Sequence, residues 1–328
     1  MICKKLSLLF GILVMACCGF VFSPNIASAD IQSVSVTPIV SDDEDPSFFQ
    51  LSGQPGSVKE LKLSLTNFGD MPIQLRVQPT NATTSTTGKL DFDEKVTVGD
   101  YGLRHAFSDM TNPQTVMLKN DQTKDLTFKV KLPSQPLAGT VIGGFDVYDV
   151  KHPNDGHSGV AVYFDSTPTK NNHLIKFDGI VPKVQNKQPF LMVNLANYSA
   201  ETIKNTIVQV KVKKNNWYNK LGLDNQISVQ DVKFDKIAPN SKIPIEFNQK
   251  QTPIASGNYL VEGVVKNGRD AWHFKQNVKV DPVAADQINQ QAKNLIYDKT
   301  GLYLTIIGVL TAVIVLIFWG ISYQRRYS

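Results

Sequence analysis

The chain has 328 residues, 42% of them hydrophobic, and its 34 lysines and arginines outnumber its 29 aspartates and glutamates to leave a formal net charge of +5. That length holds one large or two ordinary domains. Its cysteines, Cys3, Cys17 and Cys18, all crowd the N-terminus, which excludes a disulfide-rich module, and the targeting segments at the two ends exclude a cytosolic enzyme and a nucleic-acid-binding protein.

Lys4 and Lys5 precede the apolar residues 6–22, and Ala27-Ser28-Ala29 follows Pro24. This is the charged, apolar and small-residue order of a secretory signal, so residues 1–29 are read as a signal peptide with cleavage expected between Ala29 and Asp30. Val14-Met15-Ala16-Cys17 offers a lipoprotein-like cut, but Met15 suits such a site poorly and a membrane helix further along supplies an anchor. Asp42-Asp43-Glu44-Asp45 lacks the alternating ligand spacing of a calcium loop and reads as a solvated acidic loop.

Beyond it, apolar residues fall on every second position, the period of half-buried strands. Leu61-Lys62-Leu63-Ser64-Leu65 and Ile73-Gln74-Leu75-Arg76-Val77 flank the polar turn Asn67-Phe68-Gly69-Asp70, and residues 126–132, 145–148 and 160–164 continue the pattern. Between them, the threonine-rich residues 81–88 read as a flexible loop, with hydroxyls that could alternatively meet glycan. Residues 152–157, from His152 to His157, hold two imidazoles and Asp155, a metal-like set. Pro153 and the Asn154-Asp155-Gly156 turn favour a solvent-exposed hairpin loop over a metal site. The small, polar stretch Ser166-Thr167-Pro168-Thr169-Lys170 marks a boundary between domains at 30–165 and 166–282.

In the second half, residues 207–212, 243–247, 259–265 and 278–280 alternate in the same way. Lys211 and Lys213 fall on one side of a strand, with Lys214, Trp217 and Tyr218 close behind. Aromatic residues beside cations make interface anchors, so these five are the candidate partner-binding residues. The alternative is that Trp217 packs into the core while the lysines keep the surface soluble. Trp272 and Phe274 alternate around His273 and are assigned to the core. Pro282 ends the last strand, and residues 283–301, rich in helix formers, predict a helical stalk. Residues 302–322 carry no charge and are long enough as a helix to cross a bilayer core of about 30 Å. Arg325 and Arg326 beyond them put residues 323–328 in the cytoplasm and the rest of the mature chain outside.

One order of elements occurs twice. Leu63-x-Leu65-x-Asn67, Ile73-x-Leu75, Leu118-Lys119-Asn120, Leu126-x-Phe128 and a run opened by Gly139 are matched by Val193-x-Leu195-x-Asn197, Ile207, Ala238-Pro239-Asn240-Ser241, Ile243-x-Ile245 and a run opened by Gly257. Two diverged copies of an all-β unit, each with about seven short strands and no disulfide, predict two tandem immunoglobulin-like β-sandwich domains followed by a single C-terminal transmembrane helix. A β-barrel is the alternative. Residues 30–165 carry 11 basic and 18 acidic side chains, whereas residues 166–300 carry 19 and 11. The outer half is therefore acidic and the inner half basic, which suits two different partners, mutual attraction of the domains, or an incidental asymmetry. No catalytic motif emerges: there is no Gly-x-Ser-x-Gly elbow, no exported cysteine nucleophile, no His-Glu-x-x-His and no phosphate-cradling loop. The reading is a non-enzyme without a cofactor.

Phe48-Phe49-Gln50-Leu51, Gln54-Pro55-Gly56, Leu65-Thr66-Asn67, the threonine-rich loop ending at Gly88, and Gly143-Gly144 stand in an order that resembles the WxL-interacting proteins of Gram-positive bacteria. Leu195-Ala196-Asn197, Ala238-Pro239-Asn240-Ser241, Gly257-Asn258-Tyr259 and Trp272-His273-Phe274, followed by one membrane helix and a short basic tail, continue the resemblance through the second half. It implies a peptidoglycan-binding domain at 30–165 and a host-binding domain at 166–282. The implied partners are peptidoglycan, WxL-domain surface proteins and host extracellular matrix proteins. The chain departs from the family pattern near the end of the first domain, where residues 160–164 follow the distinct His152 to His157 loop in place of an Asn-Lys and aromatic strand. The expected function is a cell-surface adhesion or scaffold protein in the cell membrane, facing the wall. The alternative is an accessory or sensor protein that couples through its transmembrane helix. Sortase attachment is disfavoured, because Asp298-Lys299-Thr300-Gly301 lacks the Leu-Pro of a sorting signal.

Overall fold

The computed structural model describes residues 31–41, 45–93, 95–137, 139–164, 174–215 and 227–327. Ala29 and Asp30 of the expected signal cleavage, and Trp217 and Tyr218 of the candidate partner site, lie outside the described residues.

Ten strands build the first unit: β1 (Val34–Ile39), β2 (Phe48–Leu51), β3 (Val58–Asn67), β4 (Ile73–Asn81), β5 (Thr83–Thr84), β6 (Leu90–Asp91), β7 (Gln114–Leu118), β8 (Thr123–Lys131), β9 (Ile142–Asp149) and β10 (Ser158–Phe164). Strands β1-β3-β8 form one sheet and β2-β10-β9-β4-β7 the other, while β5 and β6 pair as a small separate hairpin. The alternation read from the sequence works as expected for a sandwich. Leu61, Leu63 and Leu65 point inward from β3 while Lys62 points out, and they meet Leu75, Val77, Phe145 and Val147 of the opposite sheet in one core.

Among the described residues, seven strands build the second unit: β11 (Ile175–Gln185), β12 (Gln188–Asn197), β13 (Ile203–Lys214), β14 (Ile227–Ile237), β15 (Ser241–Asn248), β16 (Gly257–Asn267) and β17 (Asp270–Val280). Their sheets run β11-β12-β15 and β14-β13-β16-β17. Val193, Leu195, Val208, Val210, Phe234, Ile243 and Ile245 fill the space between. Each unit has two separately hydrogen-bonded sheets, so the chain is all-β with two tandem immunoglobulin-like sandwiches and the barrel alternative falls away.

The internal repeat is also a repeat in space. Sheet β1-β3-β8 corresponds to β11-β12-β15, and β10-β9-β4-β7 to β17-β16-β13-β14; β2, added in parallel beside β10, has no counterpart among the described residues of the second unit. Asn67 and Asn197, at equivalent places, are both fully buried. Asn67 donates to the carbonyls of Met71 and Lys119 and accepts from the Gly69 N–H. Asn197 donates to those of Glu201 and Ala238 and accepts from the Ser199 N–H. One asparagine per sandwich thus closes the same turn and ties it to the same neighbouring loop.

The expected stalk is only partly helical. Helix α1 (Pro282–Gln291) starts with Pro282 in its first turn and the Asp281 carboxylate accepting from the Ala284 N–H, an ordinary N-cap. It does not stand free: Ala285 is fully buried in the second core with Ile288 packed beside it. Residues 292–299 are irregular, and helix α2 (Thr300–Tyr327) follows. Its residues Thr300–Arg325 are long and apolar enough to cross a membrane.

Candidate functional site

Strand β13 carries the lysines singled out above, and its pleat divides them. Lys211 and Lys213 share the outer face of the four-stranded sheet, because Val208, Val210 and Val212 between and before them are buried in the core. Across that face the register sets Val229, Lys211, Glu262 and Lys275 side by side on four successive strands. Lys275 Nζ lies 3.5 Å from Glu262 Oε2. These residues, with Val264 and His273, line an open groove of about 660 Å³. Val229, 52% exposed, gives the groove an apolar edge within reach of alternating charges, a surface suited to a polypeptide partner.

Lys214 is not part of it. One position further along the strand, it turns to the opposite side and is half-buried. Burial pulls its ammonium below the ordinary lysine value, and the Asp298 carboxylate just before α2 works in the opposite direction. Period-two counting from Lys211 carried this signal already. Trp272 and Phe274 face inward as expected, the Phe274 ring stacked on Phe177 at 6.0 Å.

The loop from His152 to His157 is pinned. His152 Nδ1 is 2.8 Å from Asp149 Oδ2, and His157 Nδ1 is 2.8 Å from Asp146 Oδ1, both carboxylates belonging to β9. His157 Nε2 is 3.0 Å from the Pro153 carbonyl, so one of its nitrogens is held by β9 and the other by the loop itself. Among the described residues no group of three or more His, Cys, Asp or Glu side chains is placed to hold a metal ion. Burial pushes the Asp146 carboxyl up to about 6, against the lowering pull of His157. For His157 burial alone would act downward, but the hydrogen bond and charge of Asp146 outweigh it and the imidazole is raised. Asp146 and Asp149 were invisible as partners in the sequence, where they look like the polar positions of one strand.

The threonine-rich segment is not a flexible loop. Residues 83–84 and 90–91 pair as the β5–β6 hairpin, with Thr83 and Thr84 each only 4% exposed. The hairpin is wedged against the second sandwich. Thr84 Oγ1 lies 2.9 Å from Ser241 Oγ and accepts from the Ala238 N–H at 3.0 Å. The Gly88 carbonyl accepts from the Asp235 N–H at 2.9 Å, the Ala200 carbonyl accepts from the Thr140 N–H at 2.6 Å, and Asn240 Nδ2 donates to the Tyr101 carbonyl at 2.8 Å. Tyr101 and Tyr198 meet edge to face at 6.0 Å, and Ala238 joins Ala82, Phe92 and Ile142 in a small apolar cluster. Beside this joint runs a polar cleft of about 330 Å³, lined by Ser85, Thr86 and Asp93 from one domain and Asn194, Lys242 and Glu246 from the other. Its mixture of hydroxyl, amide, carboxylate and ammonium groups matches the hydrogen-bonding chemistry of sugar hydroxyls and amides.

Residues 35–149 match the family model of the WxL Interacting Protein peptidoglycan binding domain, and residues 154–290 that of the WxL Interacting Protein host binding domain. The second match begins inside the His152 to His157 loop, whereas hydrogen bonding places β10 in the first sandwich. A search of curated proteins returns no match. Among solved structures the chain resembles the YadV chaperone, at 13% identity and TM-score 0.27 over 76% of this chain and 100% of that one. It also resembles the CsuC–CsuE chaperone and tip subunit pre-assembly complex of Acinetobacter baumannii, at 10% identity and TM-score 0.27 over 74% and 97%. The PapD-like domain 7 of human CEP192 is similar at 13% identity and TM-score 0.25 over 46% and 95%.

Proposed function

The chain belongs to the WxL-interacting protein family, and from that premise we propose that it is a membrane-anchored scaffold of the cell surface. The first domain, residues 30–165, binds peptidoglycan. The second, residues 166–282, captures WxL-type wall proteins or host matrix proteins, and α2 tethers both near the membrane with the sandwiches outside. The observation that carries this reading is that two binding-domain families occupy one chain in tandem. The joint supports it, because the hydrogen bonds from Thr84, Gly88 and Thr140 into the second sandwich hold the two domains in one relation. In this reading the outer sheet face that carries Lys211 and Lys213, with the groove beside Lys211, receives the protein partner.

The full chain in detergent or nanodiscs should pull down both isolated peptidoglycan and a purified WxL-domain protein at physiological salt. Capture of neither would remove the basis of the proposal. The double variant Lys211→Glu, Lys213→Glu should weaken WxL-protein capture about tenfold, roughly the loss expected when like charge replaces a complementary pair at an interface, and leave peptidoglycan capture unchanged. Unchanged capture of both rejects the groove as the partner face.

A further inference from the structure

The two ends of the second sandwich have different neighbours. Residues 198–201 and 235–241 meet the first domain, whereas the opposite end receives the chain on its way to α2. Asn289 exchanges two hydrogen bonds of 2.8 Å with the backbone of Ile254. Further on, the Lys293 N–H donates to the Lys187 carbonyl at 2.9 Å and the Ile296 N–H to the Gln251 carbonyl at 2.7 Å. The segment is therefore fastened along the base of the sandwich as far as Ile296. Only residues 297–299 separate that last tether from the start of α2 at Thr300, and the four Cα–Cα steps from Ile296 to Thr300 reach at most about 14 Å. Half the difference between a whole bilayer and its hydrocarbon core is about 5–8 Å. If α2 spans the membrane, the base of the second domain is held at, or within a few ångströms of, the headgroup layer.

The composition of that base fits the place. Lys187 and Asn186 form the two-residue turn between β11 and β12, both with positive φ, which projects the turn outward. Lys187, Lys250, Lys293 and Lys299 are all exposed there. So are Ile296 at 66% and Tyr297 at 62%, immediately before Leu302 and Tyr303 of the apolar helix. Asp298, the carboxylate of this segment, acts on Lys214, and Asp286 lies on α1. Ile296 and Tyr297 leave apolar surface in water at the same end of the domain as these exposed lysines. At a lipid interface the aromatic ring and aliphatic chain enter the boundary while the ammonium groups meet phosphate.

We propose that this end of the second domain is a lipid-facing surface, on which Lys187, Lys250, Lys293 and Lys299 bind the phosphates of anionic phospholipids in the leaflet that α2 enters, with Ile296 and Tyr297 seated in the interface. The proposal rests on the membrane-anchored reading of α2. It holds the second domain in a fixed pose on the bilayer, with the first domain carried outward by the joint.

The test uses the full chain in nanodiscs of phosphatidylcholine alone or with phosphatidylglycerol, containing a lipid with a nitroxide on its headgroup. A fluorophore at Thr252→Cys reports on the base and one at Leu310→Cys on α2. The base fluorophore should be quenched, at least twofold more in the anionic discs, and replacing the four lysines with glutamate should abolish that increment while leaving circular dichroism unchanged. An unquenched base fluorophore above a membrane-embedded α2, shown by quenching of the Leu310→Cys fluorophore with an acyl-chain nitroxide, overturns the proposal alone. Equal quenching in both lipids overturns the role of the lysines. Absence of acyl-chain quenching at α2 overturns the membrane reading as well.

Discussion

At the residue scale, two kinds of polar group do different work inside these sandwiches. Asn67 and Asn197 are neutral and fully satisfied, each with two donations and one acceptance to the backbone, so they specify a turn at every pH. The Asp146 and His157 pair is titratable. Asp146 holds its proton up to about 6 in the fold, but only to about 4 in the unfolded chain, so between those values the folded state binds more protons. His157 is likewise raised above its ordinary 6.5, and the same sign applies just above that pH. Asp91 and Asp93 face the pair and raise Asp146 further. Both contributions are therefore lost as pH rises, since stability falls wherever the folded state binds the extra proton. The melting temperature should drop from about pH 4 to about pH 7, and the drop should shrink in Asp146→Asn; a melting temperature that rises over this range would contradict the sign.

At the scale of elements, the β5–β6 hairpin has more consequence than its size suggests. Gly88 closes it with φ +81°, and a Cβ there would stand 2.5 Å from the Lys233 carbonyl oxygen of β14. Gly139 repeats the device on the other side of the joint, with φ +78° and a Cβ position 2.5 Å from Ala200. Both glycines combine a left-handed backbone with a close approach to the other domain, and neither requirement tolerates a side chain. Gly88→Val should cost about 2 kcal/mol or more, the range for overpacking a tight contact. Hydrogen exchange should locate the loss at the Asp235 and Lys236 amides, which both point at the Gly88 carbonyl, while the β12 and β13 amides stay protected. Retained protection at Asp235 and Lys236 would show that the joint closes without this contact.

At the scale of the whole molecule, the opposed charges of the two halves take on a narrower meaning. The described contacts across the joint are made by hydroxyl, amide and backbone groups and by the apolar cluster around Phe92, with the carboxylates of Asp178 and Glu201 serving as hydrogen-bond acceptors. Short-range contacts of this kind resist screening, whereas attraction between net charges over domain distances fades beyond a Debye length of about 10 Å at 0.1 M salt. The distance between one spin label on each domain of the full chain should therefore stay constant from about 0.05 M to about 0.5 M salt. A lengthening over that range would assign the joint to long-range charge.

The sequence by itself determined what local periodicity and composition encode: the alternating strands, the two copies of one unit, the family order of motifs, and the long uncharged segment at residues 302–322. The strands and the apolar segment are continuous local patterns, and the repeat and the motif order are comparisons of such patterns along the chain, so a linear reading suffices. The tertiary structure decided which segments became neighbours. It set β2 beside β10, more than a hundred residues away in sequence, placed Asp146 under His157, and folded the threonine-rich segment against Ser241. It also brought Asp298 within electrostatic reach of Lys214 and fastened the expected stalk to the base of the second sandwich. These pairings follow from sheet register and from burial of groups distant in the chain, where the free energy of a contact depends on both partners and on the water they exclude. Neither partner carries that information alone.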